Sequence, residues 1–251
     1  MRSAAGLRQR NGGESERLLS LFDQPRSGQL WTHEFGDTRW MPGIRMLRQR
    51  LKRGERLYRC GERVRSLFVV HVGALKTQMV RSDGRERVTG FKLPGDLVGI
   101  DSLGLARYYA DSVALQDCSI FVIPRRDVFE AANRDPNLLW RLSAHVSQEM
   151  FCEQYAMLML DLSNAAERVT TFLMRYSARL AARGYSGKRF ILPMPRADIA
   201  SYLGLRPETL SRVFLQLRQS NVLTVHGGNE VCLNEESMAG PQPERGRLLQ
   251  W

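Results

Sequence analysis

Three polar side chains near the carboxyl end have the types and spacing of a surface that reads base pairs. Glu208, Ser211 and Arg212 stand at positions i, i+3 and i+4, which places them on one face of a helix. Arginine donates two parallel hydrogen bonds to guanine, glutamate accepts one from cytosine, and serine tolerates several base edges. The trio therefore predicts a sequence-specific contact with double-stranded DNA, and the alternative is a solvated polar face.

The elements that would position this trio lie in residues 196–217, RADIASYLGLRPETLSRVFLQL. Two short helices would flank a tight turn, with Ala200 where the helices approach closely and Gly204 where the turn needs a positive φ. The inward stripe of the second helix would be Leu210, Val213, Phe214 and Leu217. This spacing is typical of a helix-turn-helix whose second helix enters the major groove. An ordinary pair of antiparallel helices is the alternative.

Further side chains are predicted to belong to the same DNA-binding surface. They are Arg196, Arg206 and Thr209, of which Arg206 takes the place of a helix-capping residue and is a candidate phosphate contact. Downstream, the string VLTVHGGNEVCL predicts two strands joined across a Gly-Gly pair at 227–228. This hairpin would form a wing behind the second helix, with His226 in a structural role.

A long helix is predicted upstream, because residues 137–161 contain neither glycine nor proline. Their apolar residues recur at spacings of three, four and seven, which gives one apolar stripe. Such a stripe needs a partner, either the strands of the same chain or the same helix of a second copy. We favour the second copy and predict a homodimer. The predicted interface residues are Leu142, Val146, Met150, Glu153, Met157 and Leu160.

Residues 46–134 have a different character, with glycines at turn spacing between short apolar or alternating runs. The runs cover residues 67–72, 87–91, 97–100, 112–115 and 119–123, and they predict an all-β roll. The expected fold is therefore α+β, with a sensor-like β roll over 46–134, a dimerisation helix over 135–161 and a winged helix-turn-helix over 162–238. Ser163 is expected to cap the helix that follows it, and Gly184 to end that helix. Residues 1–45 and 239–251 are predicted to be an irregular extension and a tail.

Composition and charge exclude several classes of protein. The net charge is +11, from 37 basic and 26 acidic residues, and the basic residues gather toward both ends, which suits a nucleic acid partner. No apolar run approaches the ~20 residues of a membrane-spanning helix and no signal peptide is visible, so a cytoplasmic protein without a membrane partner is expected. Four widely scattered cysteines argue against a zinc site or a disulfide scaffold.

The order of roll, long helix, helix-turn-helix and wing resembles the CRP/FNR family of bacterial transcription regulators over roughly residues 46–236. The strings that carry the resemblance are ERVTGFKLPGDLVGID (86–101), PNLLWRL (136–142), NAAERVTTFL (164–173) and ADIASYLGLRPETLSR (197–212). The last string contains an E-x-x-S-R arrangement similar to the FNR branch. The resemblance implies a cyclic-nucleotide-binding-like jelly roll, a homodimeric activator that reads a TTGAT-type palindrome, and an RNA polymerase contact near residues 83–87.

Two departures from the family pattern bear on cofactors. Ile100 stands where the family places a ribose-binding glutamate, and no phosphate-binding arginine accompanies Asp111, so cyclic AMP is not expected. Residues 1–59 contain no cysteine, so the iron–sulfur cluster of oxygen-sensing members is not expected either. No cofactor is therefore predicted. Glu153 resembles an acidic residue of the FNR dimer helix, and by hypothesis it weakens the dimer; a solvated flank residue is the alternative.

Other functions remain as alternatives from the sequence. The roll could sense haem, nitric oxide or another small effector, with Trp31, Thr32 and His33 as a weak candidate site, or the thiol of Cys60 or Cys118 could respond to redox state. A cupin-like metal enzyme would need clustered histidines and carboxylates, whereas the histidines at 33, 71, 145 and 226 are far apart. We therefore predict a protein that is not an enzyme.

Overall fold

The computed structural model describes residues 44–80, 82, 84–160 and 164–234. Their amino-terminal half folds into strands β1 (Leu47–Leu51), β2 (Arg56–Tyr58), β3 (Ser66–Val72), β4 (Leu75–Val80), β5 (Glu86–Lys92), β6 (Leu97–Val98), β7 (Asp111–Ala114) and β8 (Cys118–Pro124). Two four-stranded antiparallel sheets, in the orders β1-β8-β3-β6 and β2-β7-β4-β5, share an apolar core. This is the predicted β roll.

Strand β3 explains why the central run of the roll is apolar without a break. Leu67 and Val69 pack on one face of their sheet against the helices, while Phe68 and Val70 pack on the other face inside the roll. A strand that is buried on both faces reads as a continuous hydrophobic run.

Within the roll, the sequence analysis missed strands β1, β2 and β4 and made another strand too long. Four of the five residues of the edge strand β1 are exposed, and β4 buries the polar side chains of Thr77 and Gln78, so neither has a plain strand pattern. β2 is only three residues long. The expected strand 97–100 ends at Val98, because Gly99 adopts a φ of 85° and leads into the 3-10 turn Ile100–Ser102.

The carboxyl-terminal half contains most of the helix of the described residues. The helices are α1 (Arg125–Arg134), α2 (Pro136–Leu160), α3 (Ala165–Ala181), α4 (Arg196–Tyr202) and α5 (Pro207–Gln219). A small sheet, ordered β10-β11-β9, contains β9 (Arg189–Ile191), β10 (Leu223–His226) and β11 (Glu230–Leu233). The hairpin β10–β11 turns at Gly227 and Gly228, both with positive φ, and is the predicted wing; β9 was not predicted.

Helix boundaries follow local rules with one change from prediction. Asn164 caps α3 by accepting a hydrogen bond from the amide of Ala166 at 2.9 Å, whereas the predicted cap, Ser163, lies outside the described residues. Gly184 follows α3 with a φ of 77°, as expected of its terminating residue. The predicted extension lies outside the described residues except for 44 and 45, and the tail lies wholly outside them.

One apolar cluster joins the roll to the carboxyl-terminal half. Val88 and Phe91 of β5 pack with Phe172 and Leu173 of α3 and with Ile199 of α4. Because the same cluster contains the inward faces of the helix-turn-helix, one side of the roll packs directly against the helix-turn-helix, while the interior of the roll forms a cluster of its own. The helix-turn-helix is thus held against the roll.

Candidate nucleic-acid interface

Helix α5 separates an inward apolar stripe from an outward polar face, as predicted. Its buried residues are Leu210, Val213, Phe214 and Leu217. Glu208, Ser211 and Arg212 are all exposed. The hydroxyl of Ser211 donates to the carbonyl of Pro207 at 2.9 Å, and neither Glu208 nor Arg212 forms an ion pair with another described residue. The three side chains remain available to a ligand.

The turn before α5 has the predicted geometry. Gly204 adopts a φ of 64°, and Ala200 on α4 is buried where the two helices meet. A Cβ atom on Gly204 would lie 3.1 Å from Cδ2 of Leu160, so the end of α2 packs against this turn. A side chain larger than hydrogen would be strained there by its backbone conformation and crowded by Leu160.

The three accessory residues of the predicted surface have different surroundings. Arg206 is exposed, has an extended backbone at the helix N-cap and makes no side-chain cap, while Thr209 is half-buried. The guanidinium of Arg196 lies 3.5 Å from the ring centroid of Phe214, and its Nη2 donates to the carbonyl of Gly228 at 3.3 Å. Burial lowers the pKa of Arg196. Arg196 thus joins α4, α5 and the wing, a contact that local spacing did not reveal.

Helix α2 has two stripes with heptad spacing, where the prediction assumed one. We define the inner stripe as the residues that face the chain's own core: Leu138, Leu142, His145, Glu149 and Cys152. The outer stripe follows one residue later and is exposed: Leu139, Ser143, Val146, Met150, Glu153 and Met157. Both follow alternating spacings of four and three, which is the heptad pattern of helix packing.

The inner stripe limits which of the predicted interface residues are open to a second copy. Leu142 is buried with Leu138 against Leu67 and Ile123 of the roll, so it faces its own chain. Leu160 is half-buried against the helix-turn-helix turn. Leu139, which is 55% exposed, joins the outer stripe instead. The signal that could have revealed this is the second heptad series, displaced by one residue from the first.

Glu153 has a partner that the sequence did not indicate. The hydroxyl of Tyr109 lies 3.0 Å from Oδ2 of Asp101 and 3.3 Å from Oε1 of Glu153. A phenol has one proton to donate, so the two carboxylates compete for it. Burial, and then the charge of Asp101, raise the pKa of Tyr109, which keeps the phenol protonated. Glu153 is exposed and is also linked to the roll of its own chain.

Comparison with known proteins identifies both halves of the chain. Residues 48–135 match the family described as cyclic nucleotide-binding domain, and residues 167–238 match the Crp-like helix-turn-helix domain. The chain is 41% identical over 177 residues to the transcriptional activator protein FnrA of Stutzerimonas stutzeri, covering 70% of this chain and 72% of FnrA. This chain belongs to the CRP/FNR family.

Other members of the CRP/FNR family agree in sequence and structure. The fumarate and nitrate reduction regulatory protein of Escherichia coli is 33% identical over 189 residues, covering 75% of this chain and 76% of that protein. The structure of FixK2 from Bradyrhizobium japonicum has a TM-score of 0.72 at 29% identity and covers 78% of this chain and 96% of FixK2. The α+β fold is confirmed, and this family member is a DNA-binding transcription regulator and not an enzyme.

The roll of this family member does not fit a cyclic nucleotide. Ile100 is buried where an acid would hold the ribose, and Asp111 already accepts from Nε of Arg56 at 3.1 Å and from the amide of Cys60 at 2.7 Å. The rings of Tyr58 and Tyr108 stack with centroids 3.9 Å apart inside the roll. Asp111 supplies no cation for a cyclic phosphate, and the stacked tyrosines occupy part of the apolar interior of the roll.

The cysteines do not fit an iron–sulfur cluster. Cys60 is exposed after β2, Cys118 is buried at the start of β8, Cys152 lies on α2, and Cys232 lies in the wing. Within the described ranges, no group of three His, Cys, Asp or Glu residues is placed to hold a metal ion. Burial raises the pKa of Cys118 and of Cys152, which keeps these thiols protonated.

Two predicted features, the polymerase contact and the candidate effector site, lie partly or wholly outside the described residues. Asp83 of the expected polymerase contact lies outside the described residues, while residues 84–86 beside it are exposed. The candidate region at Trp31, Thr32 and His33 also lies outside them. In the part of the chain that the structure describes, no helix is long and apolar enough to cross a membrane.

Proposed function

We propose that this regulator is a homodimer that reads a TTGAT-type palindrome through Glu208, Ser211 and Arg212. The observation that carries the proposal is the exposed trio on α5, supported from behind by a fully buried stripe. A helix fixed by its buried stripe presents these side chains together, and an arginine so presented can form a bidentate contact with a base edge. Arg206, next to the helix N-terminus, is placed to contact a phosphate. Thr209 and Arg196 border the same surface.

The outer stripe of α2 supports a symmetric dimer. Met150 is 55% exposed and Met157 is 68% exposed, which leaves a row of apolar side chains that no part of the described chain covers. Pairing of this stripe with its copy would remove that surface from water. Two recognition helices related by a two-fold axis would then meet half-sites about one helical turn apart.

Activation is the proposed sign of regulation. The relatives FnrA and Anr bear the name transcriptional activator. The proposed contact with RNA polymerase is the segment 83–87 between β4 and β5, of which residues 84–86 are exposed. We further propose that the regulator works in the cytoplasm and without cyclic AMP or an iron–sulfur cluster, because its residues do not fit either group.

The reading surface is tested by electrophoretic mobility shift on a TTGAT palindrome and on random DNA of equal length. Arg212→Ala should cost about 1–3 kcal/mol on the palindrome and far less on random DNA, because a bidentate base contact is lost. Arg218→Ala is the matched control, since Arg218 is exposed at the other end of the same helix. Equal losses on both DNAs would contradict base reading by Arg212.

A further inference from the structure

Two arginines of α3 donate hydrogen bonds to the end of β5 and to the segment between β5 and β6 of the roll. We call this segment with its bound arginines the cradle. Arg179 donates from Nη1 and Nη2 to the carbonyl of Phe91 at 3.2 and 3.1 Å. Arg183 donates from Nε to the carbonyl of Pro94 at 3.0 Å. Both guanidinium groups also donate to the carboxylate of Asp96, each to a different oxygen.

Asp96 is the centre of this cradle. Its side chain is 14% exposed, and Oδ2 also accepts from the amide of Leu93 at 2.7 Å. Burial raises the pKa of Asp96, but the charges of Arg179 and Arg183 outweigh it and hold that pKa below its usual value. The carboxylate is therefore charged at neutral pH, and its removal would leave two guanidinium groups without their anion.

Other polar contacts connect the same surfaces at separate points. Nζ of Lys76 on β4 lies 2.8 Å from Oδ1 of Asp198 on α4. The amide of Val88 on β5 donates to the hydroxyl of Ser201 at 3.0 Å. Apolar packing alone would let the helix-turn-helix slide over the roll, whereas hydrogen bonds to charged groups require a defined direction and distance. The angle between the roll and the helix-turn-helix is thus defined by polar contacts at three places.

We propose that Asp96 is a positioning residue for DNA recognition, which sets the angle of the reading helix on the roll and thereby the half-site spacing. The inference rests on the proposed homodimer. If α2 joins the two rolls, the distance between the two copies of α5 depends on how each helix-turn-helix sits on its roll. The carboxylate of Asp96 is largely buried and bound to two arginines of α3, so it acts through α3 and not by touching DNA.

The test measures binding of the full chain to palindromes whose half-site separation is varied by one and two base pairs, and to a duplex with a single half-site. The wild type should lose about tenfold or more in affinity away from its preferred spacing, because the two helix-turn-helix units of the dimer can no longer bind their half-sites at the same time. In Asp96→Asn this preference should fall below about threefold, with single half-site affinity nearly unchanged.

Asp111→Asn is the matched control. Asp111 also accepts from an arginine and from a backbone amide, but both partners belong to the roll, so the spacing preference should remain. Arg183→Lys retains the charge but not the guanidinium fork, and should also broaden the preference. If circular dichroism shows that Asp96→Asn is unfolded, the spacing preference of Arg183→Lys decides the test.

The outcomes separate the two proposals. A folded Asp96→Asn or Arg183→Lys variant with the wild-type spacing preference would overturn the positioning role and leave the homodimer intact. A wild type that binds all spacings equally would overturn the palindrome proposal and the positioning role with it. A spacing change in Asp111→Asn equal to that in Asp96→Asn would also overturn the positioning role, because any loss in the roll would then suffice.

Discussion

The two stripes of α2 lie side by side but differ in composition and in what covers them. The inner stripe mixes leucines with His145, Glu149 and Cys152, and Glu149 pairs with Lys92 of the roll at 2.7 Å. The outer stripe is apolar apart from Ser143 and Glu153, and its large side chains are exposed. Glu149 is tolerated on the inner face because the ammonium of Lys92 pairs with its charge. Among the described residues the apolar face has no such partner, which is why we assign it to a second copy.

The largest expected effect comes from a charge on the outer stripe. Met150→Arg would place two guanidinium groups face to face across the two-fold axis, at a cost of about 3 kcal/mol or more in dimerisation. Sedimentation velocity should find monomers at concentrations where the wild type is dimeric, and affinity for the palindrome should fall accordingly. Gln148→Arg adds the same charge on the opposite, exposed side of α2 and should keep the dimer. A dimeric Met150→Arg variant would remove the outer stripe from the interface.

The inner stripe should respond in stability and not in assembly. Glu149→Ala would leave Lys92, whose side chain is only 8% exposed, without its counter-ion. We expect the free energy of unfolding to fall by about 2–3 kcal/mol in urea denaturation, with the dimer retained. Glu130→Ala removes an exposed partner of Arg126 and should leave the free energy of unfolding nearly unchanged, because water screens an exposed pair. Similar effects of the two variants would contradict the buried role of Glu149.

His145 predicts how the inner stripe responds to acid. Burial, ahead of the opposing charge of Asp96, lowers the pKa of His145 to about 4. Because this folded pKa lies below that of the unfolded chain, its contribution to stability is complete above pH ~6.5 and declines as the pH falls toward 4. Between pH 7 and pH 5 the wild type should lose about 2 kcal/mol through this group. Thermal unfolding of His145→Gln should lack that part of the pH dependence of stability. If the stability of the variant falls with pH as steeply as that of the wild type, His145 is not the responsible group.

The smallest expected effect concerns the acid on the outer stripe. Glu153→Gln removes a pair of like charges from the proposed interface and retains an oxygen that can accept from Tyr109. Dimerisation should tighten by about 0.5–1 kcal/mol, measured by sedimentation equilibrium. An unchanged or weaker dimer would place Glu153 on a solvated flank instead.

Local patterns predicted the helix-turn-helix better than they predicted the roll. Leu210, Val213 and Gly204 lie within a few residues of each other, so their spacing alone constrains two helices and a turn. β1 was missed because an edge strand can remain polar when one neighbour, β8, supplies all its hydrogen bonds. The cradle around Asp96 was missed because its partners Arg179 and Arg183 lie 83 and 87 positions away in sequence. No local period records a contact of that range.

Periodicity in the sequence was sufficient to determine which helices form and which residues of α5 point outward, because those properties depend on neighbours within one or two turns. It could not decide which of two adjacent stripes on α2 the roll covers, since both stripes have the same heptad spacing and both combine apolar with polar residues. The burial of Leu142, the stacking of Arg196 on Phe214 and the pairing of Asp96 were decided only when distant segments packed together. Contacts of that kind depend on the relative placement of whole elements, which only the tertiary structure supplies.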